Sequence, residues 1–176
     1  MADPHNKKRY GETWPQDKID LCLQELINLK PYVILSGGWA WHFMSPPGHV
    51  ELKHAHDHKD VDIFVSPEKV SLVIGILGDN GFFKVPTKYD KLTNNKDFRR
   101  YEKLAKGVRI TIDFFIDKNI TAREIDGWKV VDPKQLLTFY SNIHSSDNCF
   151  AVLAADKLIR KGIDPVGRQE LITIPE

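Results

Sequence analysis

Residues 58 to 65 read His58-Lys59-Asp60-Val61-Asp62-Ile63-Phe64-Val65. The run from Val61 to Val65 predicts a strand with acids at one end. Side chains two apart on a strand project from the same face. Val61 and Ile63 are therefore expected to face the core, and Asp60 and Asp62 to project together on the other side. Adjacent carboxylates repel, at a cost that a cation between them removes. The pair fits two readings at this point: a solvated strand end, or the acidic half of a divalent-metal site.

Upstream, Leu35-Ser36-Gly37-Gly38-Trp39-Ala40 closes the apolar run Tyr32-Val33-Ile34-Leu35 with a Gly-Gly turn and opens a helix. Backbone N–H groups at such a turn can approach an anion closely, and the helix start adds unpaired donors and positive partial charge. Ser36 adds a hydroxyl. Downstream, Arg109-Ile110-Thr111-Ile112-Asp113-Phe114-Phe115-Ile116 puts Asp113 inside an apolar strand. An acid there needs a partner. Arg109, on its own face, is one; a metal already held by Asp60 and Asp62 is another.

Around these stretches the pattern alternates between elements. Ile19, Cys22, Leu23, Leu26, Ile27 and Leu29 predict a helix from Pro15 to Pro31, and Trp39 to Met44 a buried one stopped by Pro46-Pro47. A helix follows Ser66-Pro67-Glu68. Strands are expected at 82–85, 98–103, 108–116 and 128–131, and closing helices at 133–143 and 148–161. This order predicts an α/β (α+β) domain with a mixed sheet of about four to six strands flanked by helices. Residues 1–14 are polar and are expected to form a flexible tail before a single domain, 15–176.

Composition limits the function classes. Among 176 residues, 25 Lys and Arg stand against 24 Asp and Glu, a net charge of +1. That balance gives no long-range attraction to nucleic acid or an anionic membrane. No apolar run approaches the roughly 18 residues of a spanning helix, and the N-terminus is charged. The two cysteines do not make a disulfide framework. A cytoplasmic protein is the expectation.

Taken together, Gly37-Gly38-Trp39-Ala40, His58-Lys59-Asp60-Val61-Asp62 and the later Asp113 resemble the nucleotidyltransferase superfamily, the DNA polymerase β-like fold. The sequence is most similar to the small antibiotic nucleotidyltransferases of the lincosamide and aminoglycoside type. The resemblance covers residues 30–116. It implies a magnesium-dependent transfer of a nucleoside monophosphate from an NTP, such as ATP, to a hydroxyl acceptor, with release of pyrophosphate. It implies that Ser36, Gly37 and Gly38 hold the triphosphate, with His58 and Lys59 beside the nucleotide. Asp60 and Asp62 would bind two Mg²⁺ ions; Asp113 would complete one metal site and help deprotonate the acceptor. Ala55-His56-Asp57 stands where relatives often carry an Arg. The acceptor is expected to be a small molecule, with tRNA or a protein hydroxyl as alternatives, and a homodimer is one way to close its pocket.

Two rivals start from other features. One is a nucleotide-binding relative without catalysis. The other is a metal hydrolase built on His54, His56 and His58, whose alternate spacing suggests a transition-metal site; on the transferase reading His54 and His56 are exposed, and His58 supports the loop or meets nucleotide. Arg99 and Arg100 are candidates for phosphate or an acidic acceptor. Trp39, Trp41 and Phe43 are expected in the core.

Overall fold

The computed structural model describes residues 12–45, 54–92, 96–142 and 146–160. A seven-stranded mixed sheet organises them, in the order β3-β4-β5-β2-β1-β7-β6. The strands are β1 (Ile34–Leu35), β2 (Asp60–Val65), β3 (Phe83–Val85), β4 (Phe98–Ala105), β5 (Val108–Ile116), β6 (Ala122–Ile125) and β7 (Trp128–Val131). The helices are α1 (Gln16–Glu25), α2 (Gly37–Met44), α3 (Val70–Asp79), α4 (Pro133–Ser141) and α5 (Ser146–Arg160). The α+β class is as read from the sequence.

The sheet is wider than expected because of β6. Its residues, Ala-Arg-Glu-Ile, are too polar to announce a strand, and it lies at the sheet edge with β7 as its neighbour. The hairpin signal is nevertheless present. Asp126 and Gly127 between the two strands both have positive φ, 52° and 77°, as a two-residue hairpin turn of Asp-Gly type requires.

Alternation sorts the two faces of the sheet. Val61, Ile63, Val65, Ile110, Ile112 and Phe114 are buried on one. The α1 helix lies on that side, where Glu25 meets Lys103 of β4. Asp60, Asp62 and Phe64 occupy the opposite face, and α4 approaches it through Phe139, whose ring lies 5.3 Å from that of Phe64. Trp39, Trp41 and Phe43 are core residues, as expected.

The expected tail, 1–14, lies outside the described residues up to residue 11. Its last residues are packed: Trp14 is 5% exposed and meets Trp39 edge-on at 5.9 Å. The C-terminal residues 161–176 and the Pro46–Pro47 stop also lie outside the described residues. Cys22 and Cys149 are both free thiols.

Candidate active site

The central strands bring the three acids together. β2 and β5 run parallel, with Asp62 paired in register to Asp113 and Asp60 to Thr111. In-register neighbours on a sheet share a face, so Asp60, Asp62 and Asp113 converge. Asp60 and Asp62 are half-buried and Asp113 is 8% exposed. Burial, and then the charge of Asp113, push the Asp60 carboxyl up to about 6. The same two causes raise Asp62 well above the usual carboxylate range, with Asp60 adding to them. Burial and like charge therefore both oppose ionisation of Asp60 and Asp62.

Asp113 has found a partner, and it is not Arg109. Arg100 of β4 is in register with Asp113 across the β4–β5 pair. Its guanidinium donates from Nε to Oδ1 at 2.6 Å and from Nη2 to Oδ2 at 2.7 Å, a bidentate fork. Nη2 also lies 4.0 Å from Asp60 Oδ2. Arg109 is exposed at the other end of β5. Alternation separates the two adjacent arginines as well: Arg99 turns to the other face, over the Phe114 ring at 5.9 Å.

The glycine turn abuts the acids. Ser36 is buried, and its N–H donates to the Asp62 carbonyl at 2.8 Å. Gly37 has φ +58°, and a Cβ there would fall 2.0 Å from Asp62 Oδ2. Glycine is required at 37 both by the backbone and by the acid it touches. Gly38 answers to a different constraint, since a Cβ on it would sit 1.9 Å from the Asp57 carbonyl oxygen. The first N–H groups of α2 have no acceptor within the helix, so the turn presents donors beside the acid face.

The histidine run is built into the fold. His58 is 1% exposed; its Nδ1 accepts from the Trp14 N–H at 3.2 Å, and Nε2 lies 3.1 Å from His42 Nδ1. Because Nδ1 accepts, the proton belongs on Nε2 and is donated to His42. Burial, followed by the neighbouring His42 and His56, pushes the His58 ring down to about 3, so it is neutral. His56, expected to be exposed, is buried, with Nε2 3.1 Å from Ser45 Oγ. His54 is half-buried and stacks on Phe150 at 5.3 Å. Lys59 Nζ pairs with Asp57 at 3.2 Å. Among the described residues no three His, Cys, Asp or Glu side chains form a ready-made metal cage.

A cavity of about 490 Å³ opens beside this constellation. Ser36, Gly37 and Asp62 form one edge, while Phe64, Phe115, Leu136 and Phe139 supply largely apolar walls. Tyr140 and Asn142 complete it. Burial, then the charges of Asp62 and Asp57, raise the Tyr140 phenol above its usual range, so it stays protonated beside the acids. Leu136, Phe139 and Tyr140 were not found from the sequence. Their helix was, but which of its residues reach the acid face depends on how the helix docks.

The same arrangement of strands and helices occurs in solved structures. A structure of the antibiotic-resistance factor ANT(2″)-Ia superposes with a TM-score of 0.50 at 12% identity, covering 84% of this chain and 85% of that one. The chain has a nucleotidyltransferase-like fold. The lincosamide antibiotic adenylyltransferase LnuA, with lincomycin bound, gives 0.51 at 12% identity over 84% of this chain and 99% of that one. ANT(2″)-Ia in complex with adenylyl-2″-tobramycin gives 0.50 at 10% identity over 81% and 89% of the two chains. No protein-family model matches the chain, and no curated protein matches it in sequence. Among the described residues, no helix is long and apolar enough to cross a membrane.

Proposed function

We propose that the protein transfers a nucleoside monophosphate from an NTP to the hydroxyl of a small molecule. The observation that carries this reading is the convergence of Asp60, Asp62 and Asp113 on one sheet face, with Gly37 against the Asp62 carboxylate. The two enzymes named above lend support, since one holds lincomycin and the other an adenylylated tobramycin. Donors at the Ser36–Gly38 turn suit a triphosphate. The cavity suits a planar or apolar body, either the base or the acceptor.

A divalent cation such as Mg²⁺ fits Asp60 and Asp62. Both are hard oxygen donors, both are raised first by burial and then by the charge of Asp113, and a cation beside them offsets both costs. When bound, such an ion supplies charge stabilisation for in-line displacement at phosphorus. The chain's own groups do the rest. The turn orients the phosphates, and the apolar walls exclude water. The imidazoles contribute no ligand on this reading, because His58 and His56 spend their rings on Trp14, His42 and Ser45.

The test is incubation with each NTP labelled at the α-phosphate, Mg²⁺ and a panel of hydroxyl acceptors. A labelled acceptor together with free pyrophosphate is expected, and Asp62→Asn should reduce it by about three orders of magnitude or more. Equal labelling by the variant would overturn the proposal.

A further inference from the structure

We infer that Arg100 is a resident cation of the acid face, so that the resting protein takes a single divalent ion, on Asp60 and Asp62, and not two. The inference rests on the metal-binding reading of those two acids. A second ion would need Asp113. Both of its oxygens are already engaged by the Arg100 fork, at 2.6 and 2.7 Å. The ion pair is also well placed to persist. Asp113 is 8% exposed, and Arg100 is its register partner on the neighbouring strand, so the fork forms without any excursion of the backbone. Taking one partner away leaves the other charge buried and unpaired.

Arg100 also reaches toward the second acid. Its Nη2 lies 4.0 Å from Asp60 Oδ2. It thus sits between two of the three carboxylates and supplies positive charge where the third group would otherwise recruit an ion. Lysine could not replace it fully, because a single ammonium cannot fork across both oxygens of Asp113. Arg100 is a positioning residue on this account: it sets the number of cations the site admits and fixes the Asp113 carboxylate. Its strand neighbour Arg99 is the natural control, since it faces the other side of the sheet.

The experiment is a titration with Mn²⁺ alone, without nucleotide, followed by electron paramagnetic resonance of the free ion. Wild-type protein, Arg100→Gln, Arg100→Lys and the double variant Arg100→Gln/Asp113→Asn are compared. The wild type is expected to bind one Mn²⁺ per chain. Arg100→Gln should bind a second, or hold the first at least about tenfold more tightly, because one unit of positive charge has left the site. The double variant should lose that gain, and Arg100→Lys should fall between. Arg100→Lys keeps the charge and tests the fork if the glutamine variant does not fold. Two Mn²⁺ on the wild type, or an unchanged count and affinity in both folded Arg100 variants, would overturn the inference while leaving metal binding intact. No Mn²⁺ on any of the proteins would overturn both the inference and the metal reading beneath it.

Discussion

Two clusters of ligand-type side chains lie within one short stretch of chain, and they behave oppositely. Within the run from His54 to His58, the imidazoles of His56 and His58 turn inward. His58 is fully enclosed, both of its ring nitrogens are partnered, and its ring is held neutral, pushed down to about 3. Two residues later the pattern reverses. Asp60 and Asp62 stand half-buried on the other strand face, with Asp60 pushed up to about 6 by burial and then by Asp113. The histidines look more like a metal site in sequence, yet the acids are the ones left unsatisfied. Residue type and spacing mark groups that can bind; an uncompensated charge marks groups that have been kept available.

The sharpest way to break this contrast is at Gly37. A Cβ there meets Asp62 Oδ2 at 2.0 Å and sits on a backbone with φ +58°. Gly37→Ala should push the carboxylate aside and lower transfer about 100-fold, since misplacement of about 1 Å is worth that much. Its stability cost should be about 1–2 kcal/mol. A steady-state assay beside a denaturant melt separates the two effects, and unchanged activity would mean that the turn and Asp62 are independent. Gly38 would be a poorer probe, because its Cβ would strike the Asp57 backbone and disturb the fold first.

On the histidine side the expected effect falls on stability. His58→Ala removes a buried ring and leaves the Trp14 N–H without its acceptor. Urea unfolding should show a loss of about 2–4 kcal/mol. The folded fraction should keep its response to Mg²⁺ and NTP. Loss of that response at preserved stability would move the functional centre to the imidazoles.

A smaller effect is expected from pH. Asp60 titrates at about 6 in the folded protein against an ordinary value of 3.8. Between those values the native state binds more protons than the unfolded state, so metal-free stability should fall as pH rises from about 4 to 6. The contribution is on the order of 3 kcal/mol at about 1.4 kcal/mol per unit. Asp60→Asn should flatten that part of the profile. A metal-free profile that rises through this window in wild type and variant alike would contradict the raised carboxyl.

Much of the acid face was legible beforehand because it rests on local alternation. A period of two placed Val61 and Ile63 inward and Asp60 and Asp62 outward, and the structure keeps that division. What closes the site is long-range. Arg109 was a local candidate for Asp113, but β4 delivers Arg100 through antiparallel register, which no local pattern announces. His56 was expected outside on the transferase reading; it is buried, with Ser45 at the end of α2 lying against it. Trp14 belonged to a polar segment and is nonetheless core, since its ring fills space beside Trp39 and His58. The apolar wall from α4 depends on the docking of a helix far along the chain.

The central claim is that the burial and like charge opposing ionisation of Asp62 are what a metal–nucleotide complex offsets. Thermal melts of wild type and Asp62→Asn, each metal-free and with saturating Mg²⁺ and NTP, test it most directly. Without metal, Asp62→Asn should be the more stable protein, because a raised carboxylate beside two others has been neutralised. With Mg²⁺ and NTP the wild type should gain stability by mass action, and the variant should gain little. An equal gain in both proteins, or a metal-free variant less stable than wild type, would contradict the account.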